Sequence, residues 1–331
     1  MNLSDVRKDE ALAVVEIQKF AEVVINNVEK VIVGKRQAIE LILIALLCEG
    51  HVLIEDMPGT GKTMLARSIA ITTGLDFKRL QCTPDLLPSD ETGVSVFNQQ
   101  NREFEFRPGP IFSNILLADE VNRATPRTQS SLLEAMGEGQ VTVDGMTYPL
   151  PKPFLVLATQ NPIEFEGTFP LPEAQMDRFF MRINLGYPDF ANEDAMLQMQ
   201  QLAHPIDTLT QAVDGNRLPA LQQQVRQVQV AGSVRHYILD LVRATRDHVA
   251  LGLGASPRSS LALCRAAQAN AALHGRNFVI PDDVKQMVVT SLAHRMTVNP
   301  ENILSGKTTT VVLQELLKQI KVPLTDSKNA S

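Results

Sequence analysis

Residues 51–66, HVLIEDMPGTGKTMLA, set a short apolar run, a glycine-containing turn, Lys-Thr and a helical pattern in immediate succession. A buried strand must deliver that turn, and a helix must begin near Lys62. Backbone N–H groups of Gly59 to Thr63 would then converge at a helix N-terminus, where the dipole favours an anion such as a nucleotide's β- and γ-phosphates. Lys62 adds a mobile positive charge, and Thr63 adds a hydroxyl for Mg²⁺. The full pattern, G-x-x-x-x-G-K-[ST], wants glycine where this chain has Asp56. Aspartate enters the left-handed conformation more readily than most residues, so the loop is expected to work.

The rest of the first half continues this theme. Helical spacing covers 10–31 and 35–48, and strand-like apolar runs follow at 77–82, 115–119, 154–159 and 181–185. Alternation of such runs with helical or loop stretches predicts an α/β sheet of buried, largely parallel strands. Two stretches break the alternation. Residues 93–107 carry alternating apolar positions around Asn98–Arg102 and read as a hairpin. Residues 140–150 hold Asp144-Gly145 between two short runs, a strong hairpin signal. From Phe190 onward the patterns are helical, at 191–203, 218–228, 234–250, 257–273, 281–294 and 310–320. Residues 204–219, with Pro205, Asp214-Gly215-Asn216 and Pro219, read as a linker.

Three further segments hold candidate chemistry. NILLADEVNRAT (114–125) ends an apolar strand in Asp119-Glu120, at the sheet edge where α/β ligand sites lie. Asp119 would hold Mg²⁺ through its waters, and Glu120 would polarise an attacking water. Taken alone, such a pair is as easily a solvated loop. LVLATQNP (155–162) ends in Gln160-Asn161, an uncharged amide that could position that water, although Asn-Pro also starts turns. GASPRSSLALCRAA (254–267) offers Ser256 as N-cap, Pro257 at the first helical position and Arg258 in the first turn. Arginine there opposes the helix dipole at about 0.3–1 kcal/mol, which makes sense beside an anion; a solvent-facing arginine is the alternative.

Composition bounds the setting. The 331 residues suffice for two or three domains, and 44% hydrophobic with 21% charged residues is ordinary for a globular chain. A net charge of −6 makes the whole molecule a poor electrostatic match for nucleic acid or an anionic membrane. The longest apolar run, LILIALLC at 41–48, is far short of the roughly 20 residues that span a bilayer. The start, MNLSDVRKDE, lacks signal-peptide character. Cys48, Cys82 and Cys264 are isolated and odd in number, which suggests buried thiols in a reducing cytoplasm.

In this order, the four segments resemble the AAA+ ATPases. The spellings EDMPGTGKT, LLADEVNRATPRTQSSLLEAMGEGQVTVDG, ATQNPIEFEGTFPLPEAQMDRF and SPRSSLAL are similar to the MoxR family in particular, over about residues 15–320. The resemblance implies an AAA+ P-loop core with a parallel sheet flanked by helices, two inserted β-hairpins and a C-terminal all-helical lid. It divides the chain into a nucleotide-binding core at 1–189, a connector at 190–232 and the lid at 233–331. It implies that Pro58, Gly59, Thr60, Gly61, Lys62, Thr63 and Met64 bind ATP or ADP, with Val33-Gly34 beside the adenine. Thr63 and Asp119 would serve Mg²⁺, Glu120 and Asn161 the attacking water, and Arg258 the phosphates as second sensor. Arg178, in MDRF, holds the family's usual arginine-finger place, and Arg123, in VNRA, is also placed to face a neighbour. Asp56 is the clear departure from the motif. A ring, expected to be a hexamer, and a partner with a von Willebrand factor A domain are implied, with chaperone-like remodelling of client complexes. A DNA-dependent motor would need basic hairpin tips, whereas Asn98–Arg102 is flanked by Glu103 and Glu105 and the second tip has no Lys or Arg. A nucleotide-sensing scaffold would have no need of a water-activating carboxylate.

Overall fold

The computed structural model describes residues 3–162, 167–201 and 204–323. In chain order the first elements are α1 (Leu3–Val28), α2 (Arg36–Leu47), β1 (Val52–Glu55), α3 (Lys62–Thr73), β2 (Phe77–Gln81) and α4 (Pro88–Thr92). They are followed by β3 (Gly93–Asn98), β4 (Glu103–Pro108), β5 (Ile115–Asp119), α5 (Pro126–Glu138), β6 (Gln140–Val143), β7 (Met146–Pro149) and β8 (Leu155–Gln160). Next come α6 (Glu173–Met176), β9 (Met181–Ile183), α7 (Phe190–Met199), α8 (Leu218–Val225) and α9 (Gly232–Arg246). The last are β10 (Leu251–Leu253), α10 (Pro257–Leu273), α11 (Pro281–Leu292), β11 (Thr297–Val298), α12 (Pro300–Leu304) and α13 (Thr309–Gln319).

The chain divides into two units. One holds Glu22–Phe179 with Ile183–Pro219; the other gathers the residues up to Ala21, Phe180–Arg182 and the chain from Ala220 onward. In the first, β2, β5, β8 and β1 lie side by side in that order and pair in parallel. Strands β1, β5 and β8 are apolar nearly throughout and buried on both faces, as expected of strands covered by helices. Strand β2 differs. It lies at an edge, and of FKRLQ only Leu80 is buried. Leu53, Leu116, Ala118, Leu132, Leu133, Val156 and Phe179 form the core between the sheet and α5.

Both expected hairpins are present. Strands β3 and β4 pair between α4 and β5, and β6 and β7 pair between α5 and β8. Helix α5 starts on Thr125, whose side chain accepts from the Thr128 N–H, and stops at Gly139. The stretch read as a linker is held in place. Asn27 Nδ2 donates to the Thr210 carbonyl at 3.0 Å, and the Thr72 carbonyl accepts from the N–H groups of Ala212 and Val213. Its prolines and glycine shape two 3₁₀ turns, Pro205–Thr208 and Gly215–Arg217, so turn-rich composition here marks a strap.

The second unit is helical as expected, with one addition. Strands β10 and β11 form a small antiparallel ribbon, Leu251 opposite Val298. Segments of three and two residues carry no period that a window can detect. Helices α9, α10 and α11 bury Val242, Leu263, Ala266, Val284 and Val288. At the corner of α10 and α11, buried Asp283 accepts from Arg276 through two bonds of 2.6 Å, from Asn270 at 2.8 Å and from the Ile280 N–H at 2.9 Å. Cys48 and Cys82 are buried, whereas Cys264 is half-buried. No helix among the described residues is long and apolar enough to cross a membrane.

Candidate active site

The loop after β1 turns on Gly59 and Gly61, whose φ angles of 82° and 85° lie in the left-handed region. A Cβ at either would meet nothing within 4 Å, so conformation, not crowding, calls for glycine. Gly61 caps α3, and the first residues of that helix are Lys62, Thr63 and Met64. Lys62 Nζ folds back onto the loop, donating to the carbonyls of Asp56 at 2.8 Å and Met57 at 3.2 Å, and Thr60 Oγ1 donates to Met57 O at 3.1 Å.

Asp56, the departure from the motif, has a defined place. It is 4% exposed, its φ is not positive, and its Oδ2 accepts from the N–H groups of Leu185 and Gly186, both at 2.7 Å. Oδ1 accepts from the Met57 N–H at 2.9 Å. The carboxylate therefore staples the root of the loop to the segment after β9 and needs no left-handed backbone. Lys35 Nζ holds the same segment from its carbonyl side, reaching Leu185, Gly186 and Tyr187 at 2.7–3.0 Å. Sequence reasoning missed this clamp because its halves lie more than a hundred residues apart.

Beside the loop, β5 ends in Asp119, and Glu120 turns the chain with φ 58°, an uncommon conformation outside glycine. Thr159, at the corresponding level of β8, donates its hydroxyl to Asp119 Oδ1 at 2.6 Å and accepts from the Glu120 N–H at 2.9 Å. Arg79 Nη2 lies 2.7 Å from Asp119 Oδ2, Gln81 Nε2 donates to Glu120 Oε2 at 3.0 Å, and Arg123 Nη1 reaches the same oxygen at 3.1 Å. Arg79 and Gln81 were not singled out from the sequence, where FKRLQ reads as a strand only. Cys82 follows Gln81; burial, reinforced by the charges of Glu91, Asp119 and Glu120, pushes its thiol up to about 12. It stays protonated and offers no nucleophile.

These pieces enclose one cleft of about 390 Å³ at the C-terminal edge of the sheet. It is lined by Pro58, Gly59, Gly61, Lys62, Thr63 and Met64 from the loop and helix, and by Arg79, Gln81, Asp119, Glu120 and Asn161. Of the amide pair, Asn161 lines the cleft, while Gln160 Nε2 is held by Glu55 Oε1 at 2.9 Å. The Thr63 hydroxyl and the Asp119 carboxylate are hard oxygen donors. Together with phosphate oxygens they suit Mg²⁺, which is held by one or two carboxylates plus phosphates.

The other sequence candidates lie outside that lining. Val33 and exposed Gly34 precede α2, and a Cβ on Gly34 would collide with Asn192 of α7. Arg178 donates Nη1 to the Leu133 carbonyl of α5. Arg123, expected to face a neighbour, is paired within its own chain to Glu120. Arg258 is exposed in the first turn of α10, in the second unit. Ser256 stands at the N-cap with extended backbone, but its hydroxyl pairs with Ser259 Oγ at 3.3 Å and caps no N–H.

Known proteins resemble this chain over most of its length. The family model described as "ATPase family associated with various cellular activities (AAA)" matches residues 51–181, and one described as "AAA lid domain" matches residues 243–316. The chain is 51% identical to an uncharacterised Bacillus subtilis protein, YeaC, over 91% of this chain and 94% of that one. It is 39% identical to Chaperone MoxR1 of Mycobacterium tuberculosis (90% of this chain, 81% of that one) and 33% identical to Protein MoxR of Paracoccus denitrificans (85% and 88%). A crystal structure of a Cytophaga hutchinsonii protein, provisionally assigned as an ATPase, superposes with a TM-score of 0.89 at 38% identity, over 97% of this chain and 99% of that one.

Proposed function

Since the chain belongs to the MoxR family of AAA+ ATPases, we propose that it hydrolyses ATP to ADP and phosphate in the cleft beside β5 and uses the cycle as a chaperone-like remodeller. One observation carries this reading. Lys62, Thr63, Asp119, Glu120 and Asn161, from three separate segments, line the same cleft. The N–H groups of Gly59 to Thr63 and the Lys62 ammonium receive the β- and γ-phosphates. Thr63 and Asp119 would hold Mg²⁺, which when bound would neutralise charge on the phosphate oxygens. Glu120 accepts a proton from the water whose oxygen attacks the γ-phosphorus, as the bond to the ADP oxygen breaks. Asn161 orients that water, and buried Thr159 keeps Asp119 and the Glu120 backbone in register.

Transfer from the family goes further. Arg178, or Arg123 once freed from Glu120, completes a neighbour's site in a ring, expected as a hexamer. Arg258 answers the γ-phosphate from the lid, and Val33-Gly34 flank the adenine. The working division is a nucleotide-binding core at 1–189, a connector at 190–232 and a lid at 233–331. Clients are engaged in the cytoplasm together with a von Willebrand factor A domain protein. The deciding experiment compares two variants of the full chain. Glu120→Gln is expected to bind ATP normally with turnover lowered about a hundredfold or more, and Lys62→Ala to lose nucleotide binding itself. Wild-type turnover in Glu120→Gln would sink the assignment.

A further inference from the structure

Arg79 stands on β2, the edge strand beside β5. Strand parity puts Arg79 and Gln81 on one face, and the β2–β5 register sets Gln81 opposite Asp119. The guanidinium sends two donors to a single oxygen, Nη2 at 2.7 Å and Nε at 3.2 Å from Asp119 Oδ2. The same Nη2 reaches Gln81 Oε1 at 2.6 Å, and Gln81 in turn donates to Glu120. Since Thr159 fills Oδ1, both oxygens of Asp119 already have donors and its charge is already answered.

A hydrated Mg²⁺ would use Asp119 in the same way, through water donors directed at its oxygens. Guanidinium and Mg²⁺ crowded onto one oxygen repel each other, and within a partly dry cleft that repulsion is stronger than in water. Arg79 is free to yield. Its side chain is 48% exposed, on an edge strand with solvent beside it.

We infer that Arg79 is a stand-in cation for the metal: it neutralises Asp119 while the cleft holds no metal–nucleotide and swings away when Mg²⁺-nucleotide binds. This rests on the phosphate-site reading proposed above. Metal-free nucleotide leaves the Arg79–Asp119 pair closed, so the pair raises the Mg²⁺ concentration at which metal-loaded nucleotide is held. Departure of Nη2 also frees Gln81 Oε1, which passes the state of the metal position to the side chain that holds Glu120. Arg79 is thus a positioning residue that sets the metal requirement. The rival role, a direct phosphate contact, predicts the opposite effect of its removal.

The test is equilibrium binding of a fluorescent, non-hydrolysable ATP analogue to the full chain, in EDTA and over a Mg²⁺ series. Arg79→Ala is expected to lower the Mg²⁺ concentration for half-maximal binding about threefold, the factor a half-exposed ion pair is worth. Binding in EDTA should stay within about twofold of wild type, since the phosphate contacts remain. Arg79→Lys should fall between, because a point charge cannot serve Asp119 and Gln81 together. A Mg²⁺ midpoint in Arg79→Ala at or above the wild-type value, with nucleotide binding lost in Lys62→Ala, overturns the inference and leaves the phosphate site standing. Wild-type binding in Lys62→Ala at every Mg²⁺ concentration removes the phosphate site and the inference with it.

Discussion

Two corners of this molecule are built around an aspartate answered by an arginine, and they are built to different ends. At α10–α11, Asp283 is 2% exposed, Arg276 grips both of its oxygens, and an amide and a backbone N–H complete its shell. At the sheet edge, Asp119 is 13% exposed and Arg79 approaches only one of its oxygens from an open strand. The first aspartate is closed in, and its arginine cannot leave without stranding a buried charge. The second keeps its aspartate in order through Thr159 and leaves the arginine replaceable. Burial of the aspartate, more than the distance across the pair, separates a structural bond from a working one.

Stability measurements on the full chain test the difference between the two corners. Arg276→Ala is expected to cost about 3–5 kcal/mol in denaturant unfolding, because Asp283 is left buried without a counter-charge. A loss no greater than that of a surface pair would erase the distinction between the corners. His51 is a buried titratable group with no counter-charge. Its Nδ1 accepts from the Val156 N–H at 3.0 Å and its Nε2 lies 3.1 Å from the Met136 carbonyl, while burial lowers its pKa to about 4, against a smaller upward pull from that carbonyl. The folded pKa is depressed, so the unfolded chain takes up the proton first as pH falls below 6.5. Between pH 6.5 and 4 this costs about 3 kcal/mol, and below 4 the loss levels off. His51→Gln should remove that part of the acid destabilisation, and an unchanged pH slope in unfolding midpoints would refute it. The smallest effect belongs to the cleft. Arg79→Ala is expected to change stability by less than about 1 kcal/mol, with the difference shrinking further in high salt. A loss of the size expected for Arg276→Ala would make Arg79 a structural residue.

Much of the architecture could be read locally. Helix α3 begins at Lys62 and β5 ends at Asp119, both where expected, because glycine geometry and an apolar run ended by carboxylates act within a few residues. Both hairpins follow from alternation and from Asp144-Gly145 in the same way. The β10–β11 ribbon escaped because its strands are stabilised by each other and have no internal pattern. Ser256 was read as a capping side chain from its type, yet Ser259 one turn on competes for the same hydroxyl.

A strand, a glycine turn and a helix at 51–73, and Lys62, Thr63, Asp119, Glu120 and Asn161 as candidate residues, could be read from the residues alone. Those features depend on backbone preferences and periodicity, which are encoded over short stretches. Tertiary structure alone decided that Asp56 would secure Leu185 and Gly186, that Gln160 would turn away to Glu55, and that Arg79 and Gln81 would face the carboxylates. Each of these is a hydrogen bond between residues distant in the chain, and its partner is set by strand order and register. A polar side chain in sequence declares what it can donate or accept; only the packed sheet decides to whom.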